Sequence, residues 1–161
     1  MMKKSAALVC LLAAVLVAGC GSKEEAATER ASTTPPPREA QPEYVTVHHI
    51  LIAFKGSVPV GGVTRSQEEA RELAEEVLKR AKTGEDFAAL ATEYSADNPP
   101  GIYKMANTGV AGDLSQGVYE RTGMVKGFGD ASFSLAVGEI GMAAYDSTTC
   151  KYGWHIIKRL E

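Results

Sequence analysis

The chain has 161 residues, with 17 Lys and Arg against 20 Asp and Glu, for a formal net charge of −3. No basic stripe occurs along it, which argues against a nucleic-acid partner. Of its three cysteines, Cys10 and Cys20 lie near the start, so Cys150 stands alone in the rest of the chain. Stability must therefore come from a packed core and not from an intramolecular disulfide.

Met1 to Lys4 carry two lysines, and Ser5 to Gly19 then run for 15 residues without a charge. Basic and then apolar is the order of a secretory signal peptide, and the run is shorter than the ~20 apolar residues a membrane-spanning helix needs. It closes on Leu16-Val17-Ala18-Gly19-Cys20. That ending resembles the bacterial lipobox, whose cysteine thiol is lipidated and becomes the first residue of the mature protein. An ordinary signal peptide with a chance cysteine, and an uncleaved anchor, are the alternatives. Removal of Lys3 and Lys4 with the leader leaves 15 basic and 20 acidic residues, a net charge of −5.

Gly21 to Pro42 mixes Ala, Glu, Ser and Thr with Pro35-Pro36-Pro37 and holds no hydrophobic residue larger than alanine. Such a segment buries too little apolar surface to offset its chain entropy and is expected to be disordered. As coil it reaches roughly 25 Å. The expected organisation is a leader over 1–19, a lipidated cysteine and tether over 20–42, and one folded domain over 43–161.

Within that domain, Tyr44 to Phe54 is rich in β-branched and aromatic residues and reads as a strand. Ile50-Leu51-Ile52 is apolar on both faces, as in a central strand. Lys55 to Arg65, with three glycines and a proline, is a loop. Ser66 with Glu69 forms a capping box. Ala70, Leu73, Ala74, Val77, Leu78 and Ala81 follow as a helical apolar stripe that Gly84 ends. Phe87, Leu90, Ala91 and Tyr94 mark a second, shorter helix. Ala96 to Gly117 carries little pattern. Met124 to Leu135 reads as helix, with Phe128, Ala131 and Leu135 on one side. Ile140 to Asp146 and Trp154 to Leu160 read as closing strands. The domain is expected to be α+β, a sheet with helices packed on it.

Several segments in this order are similar to the parvulin-type peptidyl-prolyl isomerases. They are His49-Ile50-Leu51-Ile52; Gly84 to Ala91 with Glu93-Tyr94-Ser95; Met124 to Leu135 with Val137-Gly138-Glu139-Ile140; and Gly153-Trp154-His155-Ile156-Ile157. The resemblance implies a four-stranded sheet in the order strand, helices, strand, helix, strand, strand. It implies paired active-site histidines, His49 and His155, on adjacent central strands. Asp97 falls where the family carries cysteine or aspartate. Met124 and Phe128 match the apolar pocket for the proline ring, and Tyr119 a further aromatic wall. Cys150 stands where a threonine is usual, and Gln116 where an apolar pocket residue is expected. The Lys55 to Arg65 loop lacks the basic cluster of phosphate-directed members. The family needs no cofactor or metal.

The implied role is cis-trans isomerisation of X-Pro bonds in unfolded exported proteins. The domain would act as a monomer, held by its N-terminal lipid to a membrane of the bacterial cell envelope, outside the cytoplasm. Three other readings use the same residues. A zinc site of His49, Asp97, Cys150 and His155 lacks any Cys-x-x-Cys or His-x-x-x-His spacing. A cysteine hydrolase at Cys150 lacks a helix N-terminus to lower the thiol pKa. A lipid-anchored holdase that binds without useful turnover remains the main alternative, motivated by Gln116 and Cys150.

Overall fold

The computed structural model describes residues 41–59 and 61–161, so the leader, Cys20 and the tether before Gln41 lie outside the described residues. Chain order is β1 (Tyr44–Ile52), α1 (Gln67–Lys82), α2 (Phe87–Tyr94), β2 (Ile102–Ala106), β3 (Val118–Glu120), α3 (Lys126–Ser134), β4 (Ile140–Ala143) and β5 (Trp154–Arg159). The fold is α+β, as expected, but the sheet has five strands in the order β3-β2-β1-β5-β4, not four. The added strand is β3, which runs parallel to β2 while every other pair is antiparallel. Its three residues are too few to carry a periodic signal.

β1 is the middle strand, and its alternation divides two cores. Ile50 and Ile52 pack with Ala70, Ala74, Val77, Phe87 and Leu90 under α1 and α2. Val45 and Val47 pack with Met105, Phe128, Phe133, Cys150 and Ile157 under α3. The capping box forms as the sequence implies: Glu69 N–H donates to Ser66 Oγ, and Ser66 N–H donates to Glu69 Oε2.

Other boundaries move inward. β1 stops at Ile52, β4 at Ala143 and β5 at Arg159. Helix α3 starts at Lys126, after a short 3₁₀ turn over Arg121–Gly123. No side chain caps α3; the Thr149 carbonyl accepts from Gly127 N–H at 2.7 Å instead. The Gln41 side-chain oxygen accepts from Arg121 Nη1 at 2.8 Å. The Pro42 carbonyl accepts from Asn107 Nδ2 at 2.9 Å.

Candidate active site

The site forms where β1 meets β5. In their register His49 pairs with Ile157 and Leu51 with His155, so the two histidines are diagonal neighbours on the α3 face. Their rings stack at 5.4 Å and 19°, with Nδ1 to Nδ1 at 3.3 Å. Gly153 makes this approach possible. Its φ is +137°, and a Cβ there would lie 2.2 Å from the Ile52 carbonyl oxygen, so β5 can begin against the end of β1 only with glycine.

Asp97 is brought in by the end of α2. Ser95 Oγ accepts from Leu51 N–H at 3.1 Å and from Asp97 N–H at 3.2 Å, while Ala96 N–H donates to the Leu51 carbonyl at 2.8 Å. Asp97 Oδ2 then lies 2.8 Å from His49 Nε2. Beyond it, His49 N–H donates to the Gly101 carbonyl at 2.9 Å. Gly101 has φ +67°, and a Cβ there would come within 2.7 Å of the His49 carbonyl oxygen. His48 points to the other sheet face, buried against Phe87 at 4.9 Å.

The neighbouring acceptor assigns one ring proton. A carboxylate only accepts, so His49 Nε2 carries a proton toward Asp97. Where His155 donates from Nδ1 to His49 Nδ1, its Nε2 is left with a lone pair. That atom is buried and has no partner among the described residues. Burial, reinforced by His49, pushes the His155 imidazole down to about 3. The bond from His49, with help from Tyr103 and the Asn98 backbone, holds the Asp97 carboxyl well below the usual carboxylate range.

Tyr103, which the sequence did not single out, completes the group. From β2 its hydroxyl donates to Asp97 Oδ2 at 2.7 Å. Its ring meets His49 edge-on at 5.2 Å, Phe128 at 5.9 Å and Tyr119 at 5.6 Å. Phe128 lies beneath both histidines, 5.0 Å from His49 and 5.4 Å from His155. At 2% exposed it is the floor of the site. The accessible aromatic surface beside it belongs to half-buried Tyr103 and to Tyr119, 41% exposed, while half-buried Met124 packs against the same core and lines a cavity with Arg121, Thr122 and Asp130.

Two expected residues are not brought here. Gln116 lines a separate cavity with Tyr44, Thr46, Lys104 and Val118. Thr46 lies on the sheet face opposite His49 by strand alternation. The same 3₁₀ turn presents Leu114, 74% exposed, to solvent. Cys150 is buried under α3, with its thiol directed at the Ala143 and Gly153 carbonyls. Burial pushes that thiol up to about 11, and it packs in the α3-side core with backbone carbonyls, not a histidine, as its hydrogen-bond partners. In the loop after β1, Arg65 Nη1 donates to the Ala53 carbonyl at 3.1 Å.

The family model for the PPIC-type PPIase domain matches residues 37–161. Among curated proteins, the chain is 42% identical over 85 residues to the foldase protein PrsA of Caldanaerobacter subterraneus, covering 53% of this chain and 24% of that one. It is 38% identical over 92 residues to PrsA of Bacillus subtilis, covering 56% and 27%. It is 35% identical over 113 residues to the chaperone SurA of Chromohalobacter salexigens, covering 70% and 21%. The chain thus spans about a quarter of the length of these relatives. The solution structure of TbPIN1 superposes with a TM-score of 0.51 at 26% identity, covering 74% of this chain and 98% of that one. The peptidyl-prolyl isomerase ESS1 of Candida albicans shares the fold, with a TM-score of 0.51 at 20% identity over 74% and 63%. The matched span takes in every element from β1 to β5, and on that ground the chain belongs to the PPIC-type, or parvulin, family of peptidyl-prolyl cis-trans isomerases.

Proposed function

We propose that this domain isomerises X-Pro bonds in exported polypeptides, with Asp97, His49 and His155 as its polar centre and Met124, Phe128 and Tyr119 holding the proline. The observation that carries the reading is an ionised Asp97 fixed beside an apolar, aromatic surface. Rotation of an amide faces a barrier of about 18–20 kcal/mol set by resonance. Lowering it requires preferential binding of the twisted amide, with no bond broken. Apolar burial grips the ring, and Met124 adapts to its shape. The negative Asp97 beside the turning carbonyl disfavours the charge-separated, planar amide. His49 holds Asp97 in place, and His155 stacks on His49 behind it.

The lipobox-like Cys20 supports membrane attachment outside the cytoplasm, and the polar, proline-rich segment after it supports a tether. Similarity to proteins named foldase and chaperone supports unfolded chains as clients. Arg65 is engaged with its own backbone, which leaves Lys55 as a poor clamp for a dianionic phosphate. Exchange NMR on short X-Pro peptides tests the proposal. We expect catalysed exchange, no preference for phosphoserine or phosphothreonine before proline, and an Asp97→Ala variant that loses more in kcat than in KM. A protein that suppresses aggregation of an unfolded client without catalysing exchange would instead be a holdase, the reading that similarity to a chaperone favours.

A further inference from the structure

We propose that Tyr103 is a positioning residue for isomerisation: its hydroxyl fixes the rotamer and charge of Asp97 while its ring braces His49 against Phe128. The proposal rests on Asp97 and His49 belonging to the active site. Asp97 Oδ2 receives two donors, His49 Nε2–H at 2.8 Å and Tyr103 Oη–H at 2.7 Å, while Oδ1 accepts from Asn98 N–H at 2.9 Å. Without the phenol, that carboxylate would be held laterally by the histidine alone and could swing about its own side-chain torsions.

The two donors approach from different strands. His49 stands on β1 and Tyr103 on β2, where Tyr103 pairs with Val47. On the sheet surface Tyr103 therefore sits diagonally from His49, on the same face and within side-chain reach. The position of Asp97, which hangs from a loop, is thereby triangulated by two neighbouring strands. Burial and the adjacent carboxylate push the Tyr103 phenol above its ordinary value, so it stays a donor at any physiological pH. Its edge-on contact with His49 and its contact with Phe128 also limit rotation of the imidazole on the side away from His155.

Tyr103→Phe removes the hydroxyl and keeps the ring, so packing is largely preserved. A hydrogen bond to a charged group is among the stronger ones, and we expect kcat for a short X-Pro peptide to fall about tenfold with KM nearly unchanged. In carbon-13 spectra, Asp97 Cγ should titrate at higher pH in the variant than in the wild type, which a merely structural role would not produce. Adding Tyr103→Phe to Asp97→Ala should change kcat less than twofold, because the hydroxyl then has no carboxylate to hold. A wild-type rate with an unshifted Asp97 titration overturns the proposal, as does full additivity in the double variant. If Asp97→Ala alone keeps the full rate, this inference and the assignment of the site both fall. If Asp97→Ala is slow but Tyr103→Phe is not, only this inference falls.

Discussion

His155 is the residue in this site whose environment most opposes a charge. Its folded value of about 3 lies below the ~6.5 of an unfolded histidine. A depressed folded value means that the unfolded chain takes up the proton first as pH drops. Its contribution is therefore whole above pH ~6.5 and is lost as pH falls toward 3, at up to about 1.4 kcal/mol per pH unit. Urea midpoints should drop between pH 7 and 5 by the equivalent of about 2 kcal/mol, and His155→Asn should flatten that slope. His48, also lowered by burial, adds a smaller effect of the same sign. His49, His155 and Asp97 were legible because each sits in or just beyond a local run that resembles the family. Tyr103 was not, because β2 is short, flanked by glycine and proline, and its partner Asp97 lies outside any periodic relation to it. Gln116 was misplaced for a related reason: a position inside a 3₁₀ turn is decided by how the turn rotates its side chains, which residue counting does not supply.

At the scale of elements, α3 has two tasks. It closes the core that contains Val45, Met105 and Ile157, and it supplies the floor of the site through Phe128. Because Phe128 is almost wholly buried, Phe128→Ala should cost about 3–5 kcal/mol of stability, seen as a lower urea midpoint. Loss of rate in that variant must be read only at temperatures where it remains folded. The sequence revealed α1 sharply, since a capping box and an uninterrupted stripe are local. It placed the start of α3 two residues early, because that helix is capped by the Thr149 carbonyl, a tertiary contact. β3 escaped notice because its pairing with β2 spans a loop of low pattern, and parallel partners leave no hairpin signal.

At the scale of the whole molecule, two cores lie on opposite faces of one sheet, and Cys150 is the free cysteine among the described residues. Under the proposed lipid attachment at Cys20, the part before Gln41 would set the protein's address. Cys20→Ser expressed in a bacterial host should leave the membrane fraction and appear as soluble protein, with catalysis of a short peptide unchanged. Mass spectrometry of the wild type should find an acylated N-terminal Cys20. A Cys20→Ser form that still partitions with membranes would argue for an uncleaved anchor.

The neighbouring pair His48 and His49 makes the identity of the site a question of parity. Both imidazoles are available to the same strand, and each is one residue from the other's place. Sliding β1 by a single residue would present His48 to Asp97 and turn His49 toward Phe87, with the composition of the protein untouched and its apolar faces exchanged. Gly101 beside His49 and Gly153 beside Ile52 leave no room for a Cβ, so the present register of β1 against both neighbours depends on glycine at each place. Replacing either glycine by alanine should therefore lower the urea midpoint, since the added Cβ must displace the β1 backbone beside it.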